Sequence, residues 1–554
     1  MKKKIGTNLL ACMLFAGACA GVAGCGGTEK NNGYTNPNAT KVLNIAYFNG
    51  GVTAEWLRAL EAEYEKLNPD VEVYINDELK DEIKDQKLMQ DIKQRKEDIF
   101  FTHEISYSEF VNRELIADIT DVVQSVAATG EDTVENRMNE NLRKYYGVEK
   151  NGETKYYGVP FYTNFSGAIY DVDLFEKESL YLAADGTLTS GLTGAKAKSL
   201  GKDGVEGSYD DGFPVTFSEY KTWLSNINKK VTPYIWCTDN SYRIQYLNSL
   251  WIGYEGVNDY SLNSTFAGTT KAGEEITPAT AYKLRSLKGR EFGVEMAKEI
   301  ISKKYYHSDS VNGSITHVQA QNTYLRSRAY SGKAIAMILE GGWWEIEASA
   351  TFKNIAKSKN DQQYAKGNRR FAYVPVPVYD GPASATSSER AAYIANAEKG
   401  ESFHCTSANI ATVINKSTKQ LDLAKDFLKF TLTEHAMSTF TKNVGMVRPY
   451  DYDLEEGVYE SLTPFAKNTW DLCAAETSKI YYPIISHEFL KNTNYFGTYE
   501  WSWGATIGGK TQNDPFLVFL NNKSVTAADY IEALVEHYSA NDYTTEYNHW
   551  LQNH

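Results

Sequence analysis

The chain of 554 residues is long enough for two or three domains, and 42% hydrophobic with 23% charged residues is ordinary for a soluble globular protein. Its formal net charge of −14 argues against nucleic acid or an anionic membrane surface as a partner. The 39 tyrosines suit amphipathic ligands, although most of them are expected to cover surface and lobe contacts.

The N-terminal segment predicts export. Lysines at positions 2–4 form a charged start, and an uncharged apolar stretch follows from about Leu9 to Ala23. That stretch is too short and too rich in glycine and alanine for a good membrane span. We therefore interpret residues 1–24 as a signal peptide.

A cysteine stands directly after this segment. The sequence Val22-Ala23-Gly24-Cys25 resembles the lipobox of bacterial lipoproteins, in which small residues admit the signal peptidase and the cysteine is diacylated. The alternative is an ordinary signal peptide with an incidental cysteine, which the position and the context disfavour. Residues 25–40 are polar and lack periodicity, so they predict a flexible tether behind a lipid anchor on Cys25.

From Lys41 onward, predicted strands alternate with predicted helices. The strands are 42–48, 71–75 and 98–101, and the helices are 56–67 and 78–94. This alternation favours βαβ units and a mostly parallel sheet with helices on both faces. In such sheets ligands bind beyond the carboxyl ends of the strands, and Asn49–Thr53 and Thr102–Tyr107 are two loops at such ends.

Residues 156–175 (YYGVPFYTNFSGAIYDVDLF) separate two regions of the chain. Pro160 forces its predecessor into an extended conformation, and aromatic and small polar residues follow up to Ser166. The stretch ends as an apolar strand, Ala168–Tyr170. We interpret it as a crossing from one lobe to a second, placed where a ligand can be bound.

The rest of the chain predicts a second lobe with two insertions and two further crossings. Residues 180–213 carry seven glycines and form a surface insertion, and residues 380–401 form a polar one. FAYVPVPV (371–378) and GMVRPY (445–450) are candidate crossings. Predicted helices are 217–229, 288–302, 318–331, 420–440, 456–466, 514–521 and 526–537, and predicted strands are 232–236, 334–339 and 408–413.

The order of these landmarks resembles the extracellular solute-binding proteins of ABC importers, in the carbohydrate-binding class typified by maltodextrin-binding proteins. The resemblance covers nearly the whole mature chain, although each motif alone is weak. The motifs are Asp98–Phe101, Tyr157–Tyr170, Pro233–Trp236, Glu340–Trp344 (similar to a small-Gly-Pro-Trp turn, with glycine in place of the proline), and Ala424–Phe427 followed by Gly445–Pro449.

The resemblance implies an α/β, two-lobed, type II periplasmic-binding-protein-like fold. Each lobe would hold a mixed or parallel sheet flanked by helices, and three crossover segments would form the hinge. Residues 41–163 and 404–447 would build the first lobe, and residues 164–403 and 448–554 the second. Because the insertions exceed the family's common pattern, we expect them to widen, cap or decorate the cleft.

Position in the resemblance also implies a set of ligand-binding residues. A sugar site needs flat aromatic platforms and a polar rim rather than one strong charge. The platforms would be Tyr234, Trp236, Trp343, Trp344 and one of Trp501 or Trp503. The polar partners would be Thr102, His103, Glu104, Asn164, Glu340 and Arg448, with Tyr162 beside the crossing.

Several of these assignments leave alternatives open. Adjacent Trp343 and Trp344 cannot face the same way, so one is expected in the core and one at the ligand. Trp501 and Trp503 share a face only if YEWSW is extended. Tyr162 fits either role, and Arg448 fits a hinge salt bridge as well as a ligand clamp.

Other kinds of site are disfavoured. Residues 504–511 match the phosphate-loop pattern GxxxxGK[ST], but no buried strand precedes them and Asn513-Asp514-Pro515 interrupts the helix that the pattern needs, so we interpret the glycines as a turn. Besides Cys25, the cysteines outside the signal peptide are Cys237, Cys405 and Cys473, which form no CxxC. We expect no metal site, no cofactor and no catalytic residue.

The expected function is that of a lipid-anchored receptor on the outer face of the bacterial cytoplasmic membrane. It would capture an oligosaccharide as a monomer and deliver it to ABC transporter permease subunits. The rival hypotheses are a surface glycoside hydrolase, which needs two carboxyl groups across an aromatic cleft, and a receptor for a non-sugar solute.

Overall fold

The computed structural model describes residues 36–553, apart from residues 80, 192–193, 406–408, 485–488, 490–500, 502–505, 508, 512–513 and 538. The predicted signal peptide, Cys25, most of the tether and Trp503 lie outside the described residues. Within the described ranges, no helix combines the length and the apolar character that a membrane span requires.

The secondary structure follows the predicted alternation. The strands are β1 (Lys41–Tyr47), β2 (Val71–Asn76), β3 (Ile99–Phe101), β4 (Gly147–Lys150), β5 (Glu153–Tyr156), β6 (Gly158–Pro160), β7 (Ser166–Asp171), β8 (Tyr181–Leu182), β9 (Leu188–Thr189), β10 (Thr232–Ile235), β11 (Gly268–Thr269), β12 (Glu275–Ile276), β13 (Ile335–Gly341), β14 (Phe371–Tyr373), β15 (Glu401–His404), β16 (Ala411–Ile414), β17 (Ser478–Tyr481), β18 (Thr506–Ile507) and β19 (Lys510–Thr511).

The helices are α1 (Glu55–Leu67), α2 (Asp85–Asp91), α3 (Tyr107–Asn112), α4 (Thr120–Val123), α5 (Val134–Arg137), α6 (Glu140–Tyr146), α7 (Val172–Glu178), α8 (Phe217–Lys230), α9 (Asn240–Thr265), α10 (Lys288–Ser302), α11 (Asp309–Asn312), α12 (His317–Ala329), α13 (Trp344–Glu347), α14 (Ser349–Lys359), α15 (Ser387–Asn396), α16 (Leu421–Phe430), α17 (Glu434–Val444), α18 (Val458–Ser461), α19 (Pro464–Ala474), α20 (Pro515–Asn521), α21 (Ala527–His537) and α22 (Ala540–Asn553).

The first lobe is built on a five-stranded sheet in the order β2-β1-β3-β16-β6. Strand β1 pairs in parallel with β2 and β3, whereas β16 runs antiparallel to β3 and β6. Helix α1 covers one face because Trp56, Leu57, Leu60 and Tyr64 recur at helical spacing and are buried. The loops after β1 and β3 therefore leave the same edge of this sheet.

The second lobe holds a four-stranded mixed sheet in the order β10-β13-β7-β14. Strands β10 and β13 are parallel, while β7 runs antiparallel to both β13 and β14. Helix α8 begins at a capping box in which Thr216 and Glu219 satisfy each other's backbone groups. The two sheets with their flanking helices confirm the predicted two-lobed α/β fold.

In the described ranges three crossings join the lobes, and the second of them lies later in the chain than the predicted candidate at residues 371–378. The first runs from β6 to β7 through residues 161–165. Residues 371–378 do not cross, because β14 pairs with β7 and Val378 N–H donates to Val215 O, both in the second lobe. The chain crosses instead after β15, near Cys405.

The third crossing follows α17 and begins with residues that still pack against the first lobe. Tyr450 and Tyr452 are buried in the first lobe's core, whereas Phe465 lies in a core of the second lobe. Three predicted helices are also interrupted. Helix 78–94 is split around α2, 420–440 is split into α16 and α17 with Thr433 capping α17, and 456–466 is split between α18 and α19 with Thr463 capping α19.

Arg448 fastens the third crossing to the first and is not a ligand clamp. Its side chain is 1% exposed, Nε donates to Phe161 O at 3.0 Å and Nη1 donates to Thr431 O at 2.5 Å. The guanidinium lies 5.7 Å from the ring centre of Trp56 and 5.3 Å from that of Tyr450. A buried fork that bonds two backbone carbonyls stabilises the hinge and is closed to a ligand.

We predict that Arg448→Lys lowers the free energy of unfolding by about 2 kcal/mol, because an ammonium cannot serve both carbonyls and leaves one buried without a donor. Urea unfolding followed by tryptophan fluorescence measures this. Arg143→Lys is the control, since no hydrogen bond of the Arg143 side chain is seen among the described residues. Equal shifts of the urea midpoint in Arg448→Lys and in Arg143→Lys would contradict the assignment of Arg448 to the hinge.

Candidate ligand-binding site

The site lies where the carboxyl ends of β1 and β3 meet the turn that follows β13. The loop after β1 contains Gly51, whose φ of +80° is a conformation that other residues rarely adopt. A methyl group at Gly51 would lie 3.0 Å from Cβ of Trp343 and 3.2 Å from Oε1 of Glu347. Backbone of the first lobe therefore contacts side chains of the second across the cleft.

The first crossing forms the floor between the two lobes. The Tyr162 hydroxyl lies 3.4 Å from His103 Nδ1, and Asn164 Oδ1 accepts a hydrogen bond from Gly342 N–H at 2.8 Å. Thr163 points the other way, and its hydroxyl shares a 2.7 Å hydrogen bond with Tyr482. Because side chains alternate along an extended chain, Tyr162 and Asn164 face the cleft and Thr163 faces the back of the hinge.

The first lobe supplies an aromatic wall next to polar groups. Phe48 stacks on the His103 ring with centres 4.8 Å apart and planes 6° from parallel. His103 Nε2 lies 3.5 Å from Glu104 Oε1, and the Lys84 ammonium lies 5.2 Å from the Phe48 ring centre. Burial and Lys84 lower the pKa of His103 against the opposing effect of Glu104, so the imidazole is neutral at pH 7.

The second lobe supplies the opposite wall. The half-buried Trp343 ring packs edge-to-face on Tyr242 with centres 6.1 Å apart, and Tyr242 stacks on His317 at 6.2 Å. Trp343 also packs against the core of the first lobe. Aromatic faces therefore line both sides of the cleft.

A carboxyl–amide–carboxyl chain supports this second wall. Gln321 Nε2 donates to Glu340 Oε1 at 3.1 Å and to Glu347 Oε2 at 2.8 Å. Glu340 is 2% exposed, and burial, helped by Glu347, raises its pKa well above the ordinary value. Burial also raises the pKa of Glu347, whose Oε1 lies 3.7 Å from His317 Nε2. Glu347 is the member of this chain that reaches the cleft.

A family model described as bacterial extracellular solute-binding protein matches residues 49–437. The chain belongs to this family. A comparison with curated protein sequences gives no significant match.

Solved structures of other solute-binding proteins share the fold at low identity. RafE of Streptococcus pneumoniae in complex with raffinose aligns with a TM-score of 0.51 and 14% identity over 90% of this chain and 100% of its own. A chitin oligosaccharide binding protein gives 0.50 and 15% over 92% and 100%. A probable secreted solute-binding lipoprotein from Streptomyces coelicolor gives 0.52 and 10% over 89% and 98%.

In this solute-binding protein, five of the predicted ligand residues lie together at the cleft. They are His103, Glu104, Tyr162, Asn164 and Trp343. Asn164 is 2% exposed and its amide oxygen is bonded to the turn that carries Trp343, so it positions that turn. Trp344 is fully buried, as expected for one member of the tryptophan pair.

Other predicted ligand groups are core residues instead. The Thr102 hydroxyl donates to Ala411 O at 2.8 Å inside the first sheet, and Glu340 reaches the cleft only through Gln321. Tyr234 is fully buried and its hydroxyl lies 2.6 Å from that of Tyr220. Strand β10 is covered on both faces, so neither Tyr234 nor the adjacent Ile235, which points to the opposite face, is exposed.

Two predicted tryptophan platforms also belong to the core of the second lobe. Trp236 is 1% exposed and packs edge-to-face on Phe516 with centres 5.2 Å apart. Trp501 is 3% exposed, and its indole N–H donates to Asn248 Oδ1 at 2.8 Å. Trp503 lies outside the described residues.

Sequence reasoning missed five residues of the site: Phe48, Tyr242, His317, Gln321 and Glu347. Phe48 ends the predicted first strand at a predicted ligand loop, so its position carried a usable signal. The others come from three helices, α9, α12 and α13, that meet only in the folded lobe. No local pattern marks such residues.

The phosphate-loop pattern does not build a phosphate site. Thr506–Ile507 pairs antiparallel with Lys510–Thr511, so the lysine lies in a hairpin strand rather than at the start of a helix. Over the ranges that the structure covers, no group of three or more His, Cys, Asp and Glu side chains is placed to hold a metal ion. Cys237, Cys405 and Cys473 form no disulfide bond with one another in the described part of the chain.

We predict that Asn164→Ala loosens the Trp343 turn, because Gly342 N–H loses a buried acceptor. The free energy of unfolding should fall by about 1–2 kcal/mol. Amide hydrogen exchange at Gly342 measures the local effect and should become faster. Asn164→Asp, which keeps an acceptor oxygen, is the matched control, and faster exchange in both variants would refute the positioning role.

Proposed function

We propose that this protein captures an oligosaccharide in the cleft between its lobes and delivers it to the permease of an ABC importer. The observation that carries the proposal is the pairing of two aromatic walls, Phe48–His103 and Trp343–Tyr242, across a floor formed by Tyr162. Sugars present apolar C–H faces to aromatic rings and hydroxyls to polar side chains, so such a cleft fits them.

The polar groups of the cleft support a neutral ligand. At the cleft, burial favours the neutral form of His103 and raises the pKa of Glu347, and in the core behind them it also raises the pKa of Glu340. Imidazole, carboxyl and hydroxyl groups can each donate or accept toward a sugar hydroxyl. The structural relatives of this protein include one with raffinose and one that binds chitin oligosaccharides, which favours the same class of ligand.

The setting we propose is the outer face of the cytoplasmic membrane. Cys25 would carry the lipid, residues 25–40 would tether a monomer, and closure of the lobes would present the loaded form to the permease. The lipobox-like sequence supports this, and so does the Streptomyces coelicolor relative, which is described as a lipoprotein. The protein would perform no covalent chemistry.

Isothermal calorimetry against raffinose, chitotriose, xylotriose and maltotriose tests the ligand class. We expect saturable binding to at least one of them, and Trp343→Ala should weaken that binding about tenfold or more because one stacking face is lost. Tyr459→Ala, at an exposed tyrosine on α18, is the control. Absence of binding to all four sugars would refute the sugar assignment. If thin-layer chromatography after incubation with these sugars showed released products, the rival glycoside hydrolase hypothesis would be favoured.

We predict that Gly51→Val prevents full closure, because the new side chain would collide with Trp343 and Glu347. Affinity for the sugar that binds in the calorimetry should fall at least tenfold, while the circular dichroism spectrum stays unchanged. Gly152→Val is matched in backbone conformation, with φ of +81° against +80°, but it has open space around it. Equal loss of affinity in both variants would attribute the effect to strain rather than to closure.

A further inference from the structure

Two strands outside the main sheets reach the back of the hinge. Strand β15 pairs in parallel with β17, and we call this pair the hinge ribbon. Directly after β15, Cys405 pairs with Phe165 of the first crossing. Directly after β17, the Tyr482 hydroxyl bonds that of Thr163 at 2.7 Å. Both carboxyl ends of the hinge ribbon therefore contact residues 161–165.

The amino end of the ribbon is held by the insertion 180–213. Lys202 Nζ lies 2.5 Å from Glu401 Oε1 and donates to Gly400 O at 3.2 Å. The Lys202 and Glu401 side chains are only 14% and 6% exposed, and their contact is an ion pair without hydrogen-bond alignment. Burial raises the pKa of Tyr209, and the nearby Glu401 carboxylate raises it further. A cation and a phenol of the insertion thus face one buried carboxylate.

The insertion is folded on itself and is attached to the core of the second lobe through Phe213. Asp210 is 2% exposed and accepts hydrogen bonds from Lys202 N–H at 2.6 Å and from Asp203 N–H at 3.1 Å. Ser199 donates to Phe213 O at 3.0 Å, and Phe213 is buried in the core of that lobe. Lys202 is therefore carried on a folded support rather than on a free loop.

The ribbon also lies against the long helix of the second lobe. The His404 ring packs edge-to-face on Tyr260 with centres 5.7 Å apart, and the Tyr481 hydroxyl is hydrogen-bonded to Ser264 Oγ. Tyr260 and Ser264 both belong to α9. The ribbon is thus attached to the second lobe along its length and to the crossing at its end.

We propose that the insertion 180–213 is a hinge brace that restricts the opening of the lobes, and that it does not cap the cleft. The hinge ribbon that the insertion holds contacts the crossing from the face of Thr163, opposite to that of Tyr162 and Asn164. Because the ribbon ties residues 161–165 to the second lobe, this crossing cannot bend freely. Weakening the Lys202–Glu401 contact, which holds the ribbon, shifts the ligand-free protein toward more open states.

The ligand-free protein tests the brace, so the result does not depend on which solute binds. In Lys202→Met and Glu401→Gln, we expect amide exchange within residues 161–165 to become about tenfold faster, since removal of one partner leaves the other uncompensated. Small-angle X-ray scattering should show a larger radius of gyration. Lys202→Arg, which keeps the charge, should behave as the wild type.

Lys283→Met is the control for loss of an ion pair elsewhere in the second lobe, since Lys283 lies 2.9 Å from Glu274. Lys283→Met should leave amide exchange within residues 161–165 and the radius of gyration unchanged. The proposal would be overturned if amide exchange became faster only within residues 194–213, while exchange within residues 161–165 and the radius of gyration stayed unchanged. The insertion would then be a surface decoration. If Lys202→Met does not fold, Glu401→Gln decides alone, because it removes the charge and keeps the shape.

Discussion

The alternation of side chains along residues 161–165 is the constraint on which the rest of this structure depends. An extended segment must place Tyr162 and Asn164 on one side and Thr163 on the other. The first side forms the floor of the cleft, and the second side receives Tyr482 and the hinge ribbon. Ligand contact and hinge mechanics are therefore joined in one short segment, which Arg448 fastens to the third crossing through Phe161 O.

The electrostatics of the cleft differ from those of the chain as a whole. The protein carries a net charge of −14, yet burial favours the neutral forms of His103 at the cleft wall and of Glu340 in the core behind it. Desolvation disfavours the charged form of a base and of an acid alike. It therefore lowers the pKa of His103 and raises the pKa of Glu340. A neutral imidazole between aromatic faces suits an uncharged, hydroxyl-rich ligand.

Much of the framework could be predicted because it rests on local periodicity. The first three strands, α1 and the loops that hold Gly51 and His103 follow directly from the pattern of apolar residues. The sequence predicts a crossing at 371–378 because its prolines suggest an extended linker as much as an edge strand, whereas the structure keeps these residues in the second lobe. Strand β14 pairs at the sheet edge, where proline in the residues that follow it removes no ladder hydrogen bond.

The sequence by itself determined the two-lobed α/β framework, the first crossing and the loop residues of the first wall, because each depends on neighbours in the chain. Only the tertiary structure decided which aromatic and polar side chains reach the ligand. Tyr234 lies near the carboxyl end of β10 and Trp236 directly follows that strand, much as His103 follows β3, yet both are enclosed by Tyr220 and Phe516, which approach from distant helices. The carboxylate of Glu347 reaches the cleft because Gln321, on another helix, holds it there. Burial is a property of packing between elements, and no local pattern specifies it.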